Sequence, residues 1–176
     1  VELAKRSRGT PRIANRFLKR VRENGKEYPF ICIAPQCPRD KYWGCYTESL
    51  VAFLDYICDT LPIDRDRVYL TGLSMGGTGT WMLAMAASER FAAIAPICGS
   101  GIVWNAHILK DIPVYMWHGD CDDVVPIQES ITMLTKIHKY GGNAKLKICY
   151  GVGHNAWDIA YKDDELVDWF LSHKKE

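Results

Sequence analysis

Short apolar runs alternate with segments of helical periodicity along most of the chain, and this alternation limits the possible folds more than any other sequence feature. The runs are continuously apolar, which is typical of strands covered on both faces of a sheet. The predicted strands are 30–34, 67–71, 92–97, 113–117 and 144–150, and the predicted helices are 47–59, 78–88, 127–140 and 163–173. Strands separated by helices predict an α/β fold with a mostly parallel sheet and helices on both faces.

Length and composition favour a single domain over residues 1–176. The 176 residues are 48% apolar and 24% charged, enough to bury one core. The net charge of +1 argues against a general attraction to nucleic acid. No run approaches the roughly 20 apolar residues of a membrane span, so we expect a soluble protein, cytoplasmic or secreted, with no membrane partner.

The first 27 residues are more basic than the rest, with nine Lys/Arg against three Glu. Thr10 can cap a helix, Pro11 suits its first turn and Gly25 can end it. The basic residues of this predicted helix then lie opposite its apolar face. A solvated face is the simpler interpretation, and binding of phosphate or an acidic polymer is the alternative.

A Gly-x-Ser-x-Gly pattern, Gly72 to Gly76, lies between the predicted strand 67–71 and the predicted helix 78–88. A serine on a sharp turn from strand to helix has an exposed hydroxyl, and the flanking glycines permit the tight bend. The following helix directs its free N–H groups at the same place. The context indicates that Ser74 is a nucleophile, although the bare pattern also occurs in turns with an inert serine.

A serine needs a general base, and His154 is the best of the five histidines. It lies in the glycine-flanked loop after the predicted strand 144–150, and the chain order Ser, acid, His is the order expected for this architecture. His118 ends the buried run 113–117, where its ring is expected to pack or hydrogen-bond locally. His154 is therefore the predicted base.

Three aspartates follow the predicted strand 113–117 and come before His154 in the chain. Asp120, Asp122 and Asp123 are consistent with a polar turn that caps a helix. They also lie at the carboxyl end of a parallel strand, where such sheets gather functional groups. One of the three is predicted to orient His154, and spacing from the strand does not choose among them.

Taken together, four stretches are more specific than any one of them: APQCP at 34–38, GLSMGG at 72–77, HGDCDDVVP at 118–126 and GVGHNAW at 151–157. With these motifs the chain resembles the α/β-hydrolase superfamily, and most closely the small esterases grouped with predicted peptidases, polyhydroxybutyrate depolymerases and feruloyl esterases. The resemblance implies an α/β-hydrolase fold and a triad whose acid is the fourth residue after His118. That residue is Asp122, with Asp120 and Asp123 as runners-up.

The resemblance also implies two backbone N–H groups that stabilise the oxyanion, of which the N–H of Met75 is one. The other normally comes from a His-Gly-rich loop after an early strand, and this sequence has neither. We therefore expect an α/β-hydrolase fold that lacks its first strands, in an N-terminally shortened chain. Loss of one donor typically costs about 10²- to 10³-fold in turnover, so the activity is expected to be weak.

The predicted function is a serine carboxylesterase that hydrolyses short-acyl or polymer-attached esters of the acetyl or feruloyl type. Only about fifteen residues connect 97 to 113, which predicts an open site without a lid. Trp43, Trp104 and Trp157 lie in predicted loops near the catalytic edge and are candidates for substrate binding, with rim or core packing as the alternative.

No cofactor or metal is expected, and the partner is a small-molecule or polysaccharide-linked ester. A serine peptidase of the same fold forms the same acyl-enzyme and is the nearest alternative function. A non-catalytic binding module is the alternative from another class, favoured by the absent oxyanion loop. The sequence does not predict the oligomeric state.

Overall fold

The computed structural model describes residues 30–175. Its contacts divide the chain into two compact units, residues 1–41 and 42–176. The described part of the first unit, 30–41, contains no helix or strand. The basic helix predicted from Thr10 lies outside the described residues, and a single domain over the whole chain stays a prediction.

Four parallel strands form the sheet of the second unit. They are β1 (Tyr69–Leu73), β2 (Ala93–Ile97), β3 (Val114–Gly119) and β4 (Ala144–Cys149), and they lie side by side in chain order. β2 and β3 are buried along their whole length, as their continuous apolar sequences predict, whereas the edge strand β1 is only half-buried. The predicted parallel α/β fold is confirmed.

Helices cover both faces of this sheet. The α-helices are α1 (Thr47–Thr60), α2 (Met75–Ala86), α3 (Gln128–Lys139), α4 (Trp157–Ala160) and α5 (Asp164–Leu171), and the 3-10 helices are Trp43–Tyr46, Ser88–Arg90 and Val103–Leu109. The sequence predicted α1, α2, α3 and α5 to within about three residues at each end. The short helix α4 and the 3-10 helices were not predicted, because such short segments carry too few residues for a periodic signal.

The period-two alternation of side chains along the strands divides the core into two layers. Ile94, Val114 and Met116 face the layer that contains α2, α3 and the 3-10 helix 103–109, while Ala95 and Trp117 face the layer of α4 and α5. This arrangement leaves the carboxyl ends of the strands free at one edge of the sheet, where the loops that carry functional side chains emerge.

Two predictions about the front of the described region were wrong. Residues 30–34 form no strand, because no strand of the described sheet pairs with them and a strand depends on a ladder with a neighbour. In α1 the helical spacing predicts that Leu50, Phe53, Leu54 and Ile57 face inward. Leu50 and Leu54 do contact the core, together with Val51, whereas Phe53 is exposed. No residue of α1 is fully buried, so this helix is a covering rather than a core element.

The connection from β2 to β3 is short and folds back onto the core. Its 3-10 helix, Val103–Leu109, buries Ala106 and Leu109 completely in the layer that contains α3. The chain between these strands therefore covers the sheet and does not form a lid. No helix in the described residues 30–175 is long and apolar enough to cross a lipid bilayer.

Candidate active site

Ser74 stands on the turn between β1 and α2 in a conformation that few residues other than glycine adopt. Its φ of 51° and ψ of −119° lie in a region that costs a side chain about 1–3 kcal/mol. The turn is held by two hydrogen bonds: the N–H of Ser74 donates to the carbonyl of Ile97 at 2.9 Å, and the N–H of Thr78 donates to the carbonyl of Ser74 at 3.0 Å. The strain is therefore balanced by fixed backbone contacts, and the side chain leaves the sheet edge in one direction.

The two glycines of the motif have different roles. A Cβ on Gly72 would lie 2.3 Å from the carbonyl oxygen of Gly76, a clash with backbone that cannot move without opening the turn. A Cβ on Gly76 would meet nothing nearer than 3.9 Å, where Nε1 of Trp43 lies. The tight bend thus requires glycine at 72, while the space at 76 admits a methyl group.

This difference predicts opposite effects of alanine at the two positions. Gly72→Ala should lower the free energy of unfolding by about 1–3 kcal/mol, because the turn must deform to admit the methyl group. Gly76→Ala should leave it unchanged or raise it by up to about 1 kcal/mol, because alanine is the better helix former. Urea denaturation of both variants measures the two changes, and a loss of similar size in Gly76→Ala would contradict the assignment.

The imidazole of His154 contacts both the Ser74 hydroxyl and the Asp122 carboxylate. Its Nε2 lies 2.7 Å from Oγ of Ser74, and its Nδ1 lies 2.8 Å from Oδ2 and 3.0 Å from Oδ1 of Asp122. An ionised carboxylate only accepts hydrogen bonds, so Nδ1 carries the proton and Nε2 is left to accept from the serine. The three residues, each from a different loop at the carboxyl edge of the sheet, therefore form a continuous hydrogen-bonded chain.

Asp122 is held as an anion although its side chain is fully buried. Burial raises the pKa of this carboxyl, but hydrogen bonds from His154 and from the N–H groups of Val125 and Val124 outweigh it, and the pKa lies below its ordinary value. The two backbone donors lie 2.8 and 3.0 Å from Oδ1. A carboxylate in this setting can orient an imidazole and stabilise its protonated form.

The other two aspartates of the loop are placed differently. Oδ1 of Asp120 accepts a hydrogen bond of 2.7 Å from the N–H of Gly151, at the start of the loop that carries His154. Asp123 is exposed. Of the three candidates, Asp122 is the one whose carboxylate lies within hydrogen-bonding distance of His154.

The histidine loop crosses directly over the end of β3. A Cβ on Gly119 would lie 2.2 Å from the carbonyl oxygen of Val152 and 2.3 Å from that of Gly153, so this crossing requires a residue without a side chain. The N–H of Cys121 donates to the carbonyl of Val152 at 3.0 Å and fixes the same crossing. These contacts set the register between the loop of Asp122 and the loop of His154.

The predicted oxyanion donor and the three predicted substrate-binding tryptophans differ in how near they lie to the hydrogen bonds of Ser74, His154 and Asp122. Met75 begins α2, so its N–H has no acceptor within the helix and lies next to Ser74. Trp157 contacts the triad edge-on, with its ring centroid 5.3 Å from that of His154. Trp43 packs along α2 against Gly79. Trp104 is 78% exposed on the 3-10 helix 103–109.

Two buried residues beside Asp122 were not predicted as part of the site. Cys98 follows β2, and burial raises the pKa of its thiol to about 12, which keeps it neutral. His118 lies at the end of β3, with Nε2 3.2 Å from Oδ2 of Asp122. The sequence signal for His118 was present, since it opens the motif that contains Asp122, but local packing was the simpler interpretation.

Within the described residues, Cys98, Asp122 and His154 also bring three potential metal-ligand atoms within 4.8 Å of one another. Two ligands of one tetrahedral zinc ion lie about 3.3 Å apart, given bonds of about 2.0–2.1 Å. The 2.8 Å between Asp122 and His154 is a hydrogen-bond distance instead. The spacing of this pair suits a shared proton better than a shared metal ion.

Residues 46–163 match the family model described as phospholipase/carboxylesterase. A crystal structure of a thermostable esterase superimposes with a TM-score of 0.78 at 31% identity, over 81% of this chain and 43% of that one. The bifunctional acetylxylan esterase/xylanase XynS20E of Neocallimastix patriciarum is 31% identical over 83 residues, which is 47% of this chain and 12% of that protein.

A second similarity is to RuvB. Residues 1–26, outside the described region, match the model of the RuvB AAA lid domain. The Holliday junction branch migration complex subunit RuvB of Mycobacterium avium is 39% identical over 104 residues, 55% of this chain and 26% of that protein. The chain therefore spans less than half the length of each relative to which it is compared.

The family match covers about two thirds of the chain, including all three loops that supply the hydrogen-bonded Ser, Asp and His. The chain belongs to the phospholipase/carboxylesterase family of α/β-hydrolases.

Proposed function

We propose that the chain is a serine carboxylesterase that works through an acyl-enzyme. The observation that carries the proposal is the 2.7 Å contact between Oγ of Ser74 and Nε2 of His154, in a ring whose other nitrogen faces a buried carboxylate. A hydroxyl in this contact can lose its proton to the imidazole as it attacks a carbonyl carbon.

In the first half of the reaction, Oγ of Ser74 bonds to the ester carbonyl carbon and its proton passes to Nε2 of His154. Asp122 stabilises the resulting imidazolium. The tetrahedral intermediate collapses when the bond to the alcohol oxygen breaks, and the alcohol leaves with the proton from His154. Water then repeats the sequence on the acyl-enzyme, releases the acid and restores the serine.

The N–H of Met75 is the proposed oxyanion donor. It belongs to the first turn of α2, where N–H groups are free to bind a negative oxygen and the helix dipole favours one.

The proposed substrates are short-acyl esters or acetyl and feruloyl esters attached to a polymer. The short connection between β2 and β3 folds onto the core, so a bulky alcohol can approach Ser74 from solvent. The exposed ring of Trp104 and the ring of Trp157 beside His154 offer flat apolar surfaces for a sugar or an aromatic acyl group. The similarity to an acetylxylan esterase supports the same substrate class.

Labelling with a fluorophosphonate tests the nucleophile. The folded protein should gain the mass of one phosphonyl group, and peptide mapping should place it on Ser74, because this reagent reacts with an activated serine and spares an ordinary hydroxyl. Urea-unfolded protein is the matched control and should not react. A folded protein that stays unlabelled would favour a non-catalytic binding module.

Substrate choice is tested on p-nitrophenyl acetate, acetylated xylan and a peptide p-nitroanilide. We expect release of p-nitrophenol and acetate and little release of p-nitroaniline, because the amine is the poorer leaving group. Faster cleavage of the anilide than of the esters would favour a peptidase.

A further inference from the structure

His118 is buried completely and both of its ring nitrogens have partners. Nε2 lies 2.8 Å from the carbonyl oxygen of Val125, and Nδ1 lies 2.8 Å from Oγ of Ser130 on α3. A carbonyl oxygen only accepts, so Nε2 carries a proton. In the neutral ring the hydroxyl of Ser130 then donates to Nδ1 and fixes that tautomer.

The same Nε2–H also faces the acid of the proposed triad, since Oδ2 of Asp122 lies 3.2 Å away. Both side chains are entirely shielded from solvent, so this contact is not weakened by water. Oδ2 therefore lies between two imidazoles, His118 on the inner side and His154 on the outer side at 2.8 Å.

His118 also closes the loop that carries Asp122. Val125 is bound twice, because its N–H donates to Oδ1 of Asp122 and its carbonyl accepts from His118. The imidazole of His118, at the end of β3, thus fixes this loop to the strand through the Val125 carbonyl. Its hydrogen bond with Ser130 fixes the ring to α3. A carboxylate constrained on both oxygens has one orientation relative to His154.

We propose that His118 is a positioning residue, whose Nε2–H holds the Asp122 carboxylate and the Val125 carbonyl so that the carboxylate faces Nδ1 of His154 in one fixed orientation. This inference rests on the proposed function, because it assigns His118 a role through the triad. Other titratable groups near the pair in the described residues are the thiol of Cys98, from the segment after β2, and the thiol of Cys149, at the end of β4. Asp120, Cys121 and Asp123 lie on the acid's own loop.

Two substitutions of His118 distinguish the effect of losing its Nε2–H hydrogen bond from the effect of changing the volume of its ring. His118→Phe keeps an aromatic ring but removes both nitrogens, whereas the amide nitrogen of His118→Gln can reach the position of Nε2 and donate. His138→Phe is the matched control, because His138 bonds the carbonyl of Ala144 at the end of β4 remote from the triad.

In the phenylalanine variant kcat should fall about 10- to 100-fold with KM within about twofold, the pattern expected when a catalytic group is displaced and substrate binding is not. The acid limb of the pH profile of kcat/KM should move upward by about half a pH unit or more, because a carboxylate with one donor fewer favours the protonated imidazole more strongly. His118→Gln should keep most of the wild-type kcat and most of the wild-type pH profile, and His138→Phe should change neither kcat nor the pH profile.

A readout that needs no turnover is the proton NMR resonance of the Nδ1 proton of His154, which reports its hydrogen bond to Asp122. It should shift in His118→Phe and stay in place in His138→Phe. A folded His118→Phe protein with wild-type kcat, pH profile and resonance would overturn the proposal. If that variant does not fold, Ser130→Ala decides, since loss of the donor to Nδ1 should shift the same resonance.

The two proposals fail separately. If the wild-type protein does not hydrolyse esters, the proposed function is wrong, and the resonance still tests whether His118 holds Asp122. If the wild-type protein is active and the His118 variants are indistinguishable from it, the inference about His118 alone is wrong.

Discussion

Replacing Ser74 by alanine should abolish ester hydrolysis and leave the fold nearly unchanged. Oγ is the atom that we propose to attack the substrate, so kcat is expected to fall by about 10⁶-fold, as in serine hydrolases that lose the nucleophile. The free energy of unfolding should change by no more than about 1 kcal/mol, because one hydrogen bond, that to His154, is lost and the backbone contacts of the turn remain.

The measurement is steady-state hydrolysis of p-nitrophenyl acetate, paired with urea denaturation of the same preparation. Ser100→Ala is the control, since Ser100 follows β2 close to α2, where its N–H bonds Oγ1 of Thr78. We expect this control to keep most of the activity. A Ser74→Ala protein that retains more than about 1% of wild-type kcat would mean that another nucleophile is at work.

Asp122→Asn should produce the second largest loss, about 10⁴-fold in kcat. The amide of asparagine can donate to Nδ1 of His154, which favours the ring tautomer whose Nε2 carries a proton and cannot accept one from Ser74. The geometry of the loop should survive, because the amide oxygen can still accept from the N–H groups of Val124 and Val125.

Asparagine at the two neighbouring aspartates gives a matched comparison. In Asp120→Asn the amide oxygen can still accept from the N–H of Gly151, so we expect less than about a tenfold loss. Asp123 is exposed, and its variant should resemble wild type. Comparable losses of kcat in all three variants would contradict the assignment of Asp122 as the acid.

The fold could be predicted from the sequence wherever the signal is local. The buried strands β2 and β3 are continuous apolar runs, and the motif at Ser74 lies between a strand and a helix, so neighbouring residues alone indicate both. The missing strand at 30–34 shows the limit of this reasoning. An apolar run predicts that a segment can pair, whereas pairing itself needs a neighbour supplied by another part of the chain.

The candidate site likewise combines features with a local sequence signal and contacts between residues far apart in the chain. Ser74 was predicted from its turn, but the contact with His154 joins residues 80 positions apart, and that of His154 with Asp122 joins residues 32 apart. Reasoning from the residues alone left three aspartates open, because each lies within a few positions of the same strand end. The motif resemblance singled out Asp122, and the direction in which each carboxylate leaves the loop is what brings Asp122 to His154.

The sequence by itself determined most strand and helix types, the sharp strand-to-helix turn at Ser74 and the chain order of the candidate serine, acid and histidine, because backbone preferences and apolar periodicity act over a few residues. The motif resemblance singled out Asp122, and tertiary structure brings its carboxylate to His154. Tertiary structure alone decided that glycine is required at 72 and 119 but not at 76, and that His118 lies beneath Asp122. These features depend on atoms from distant segments approaching within about 3 Å, and no local pattern encodes such distances.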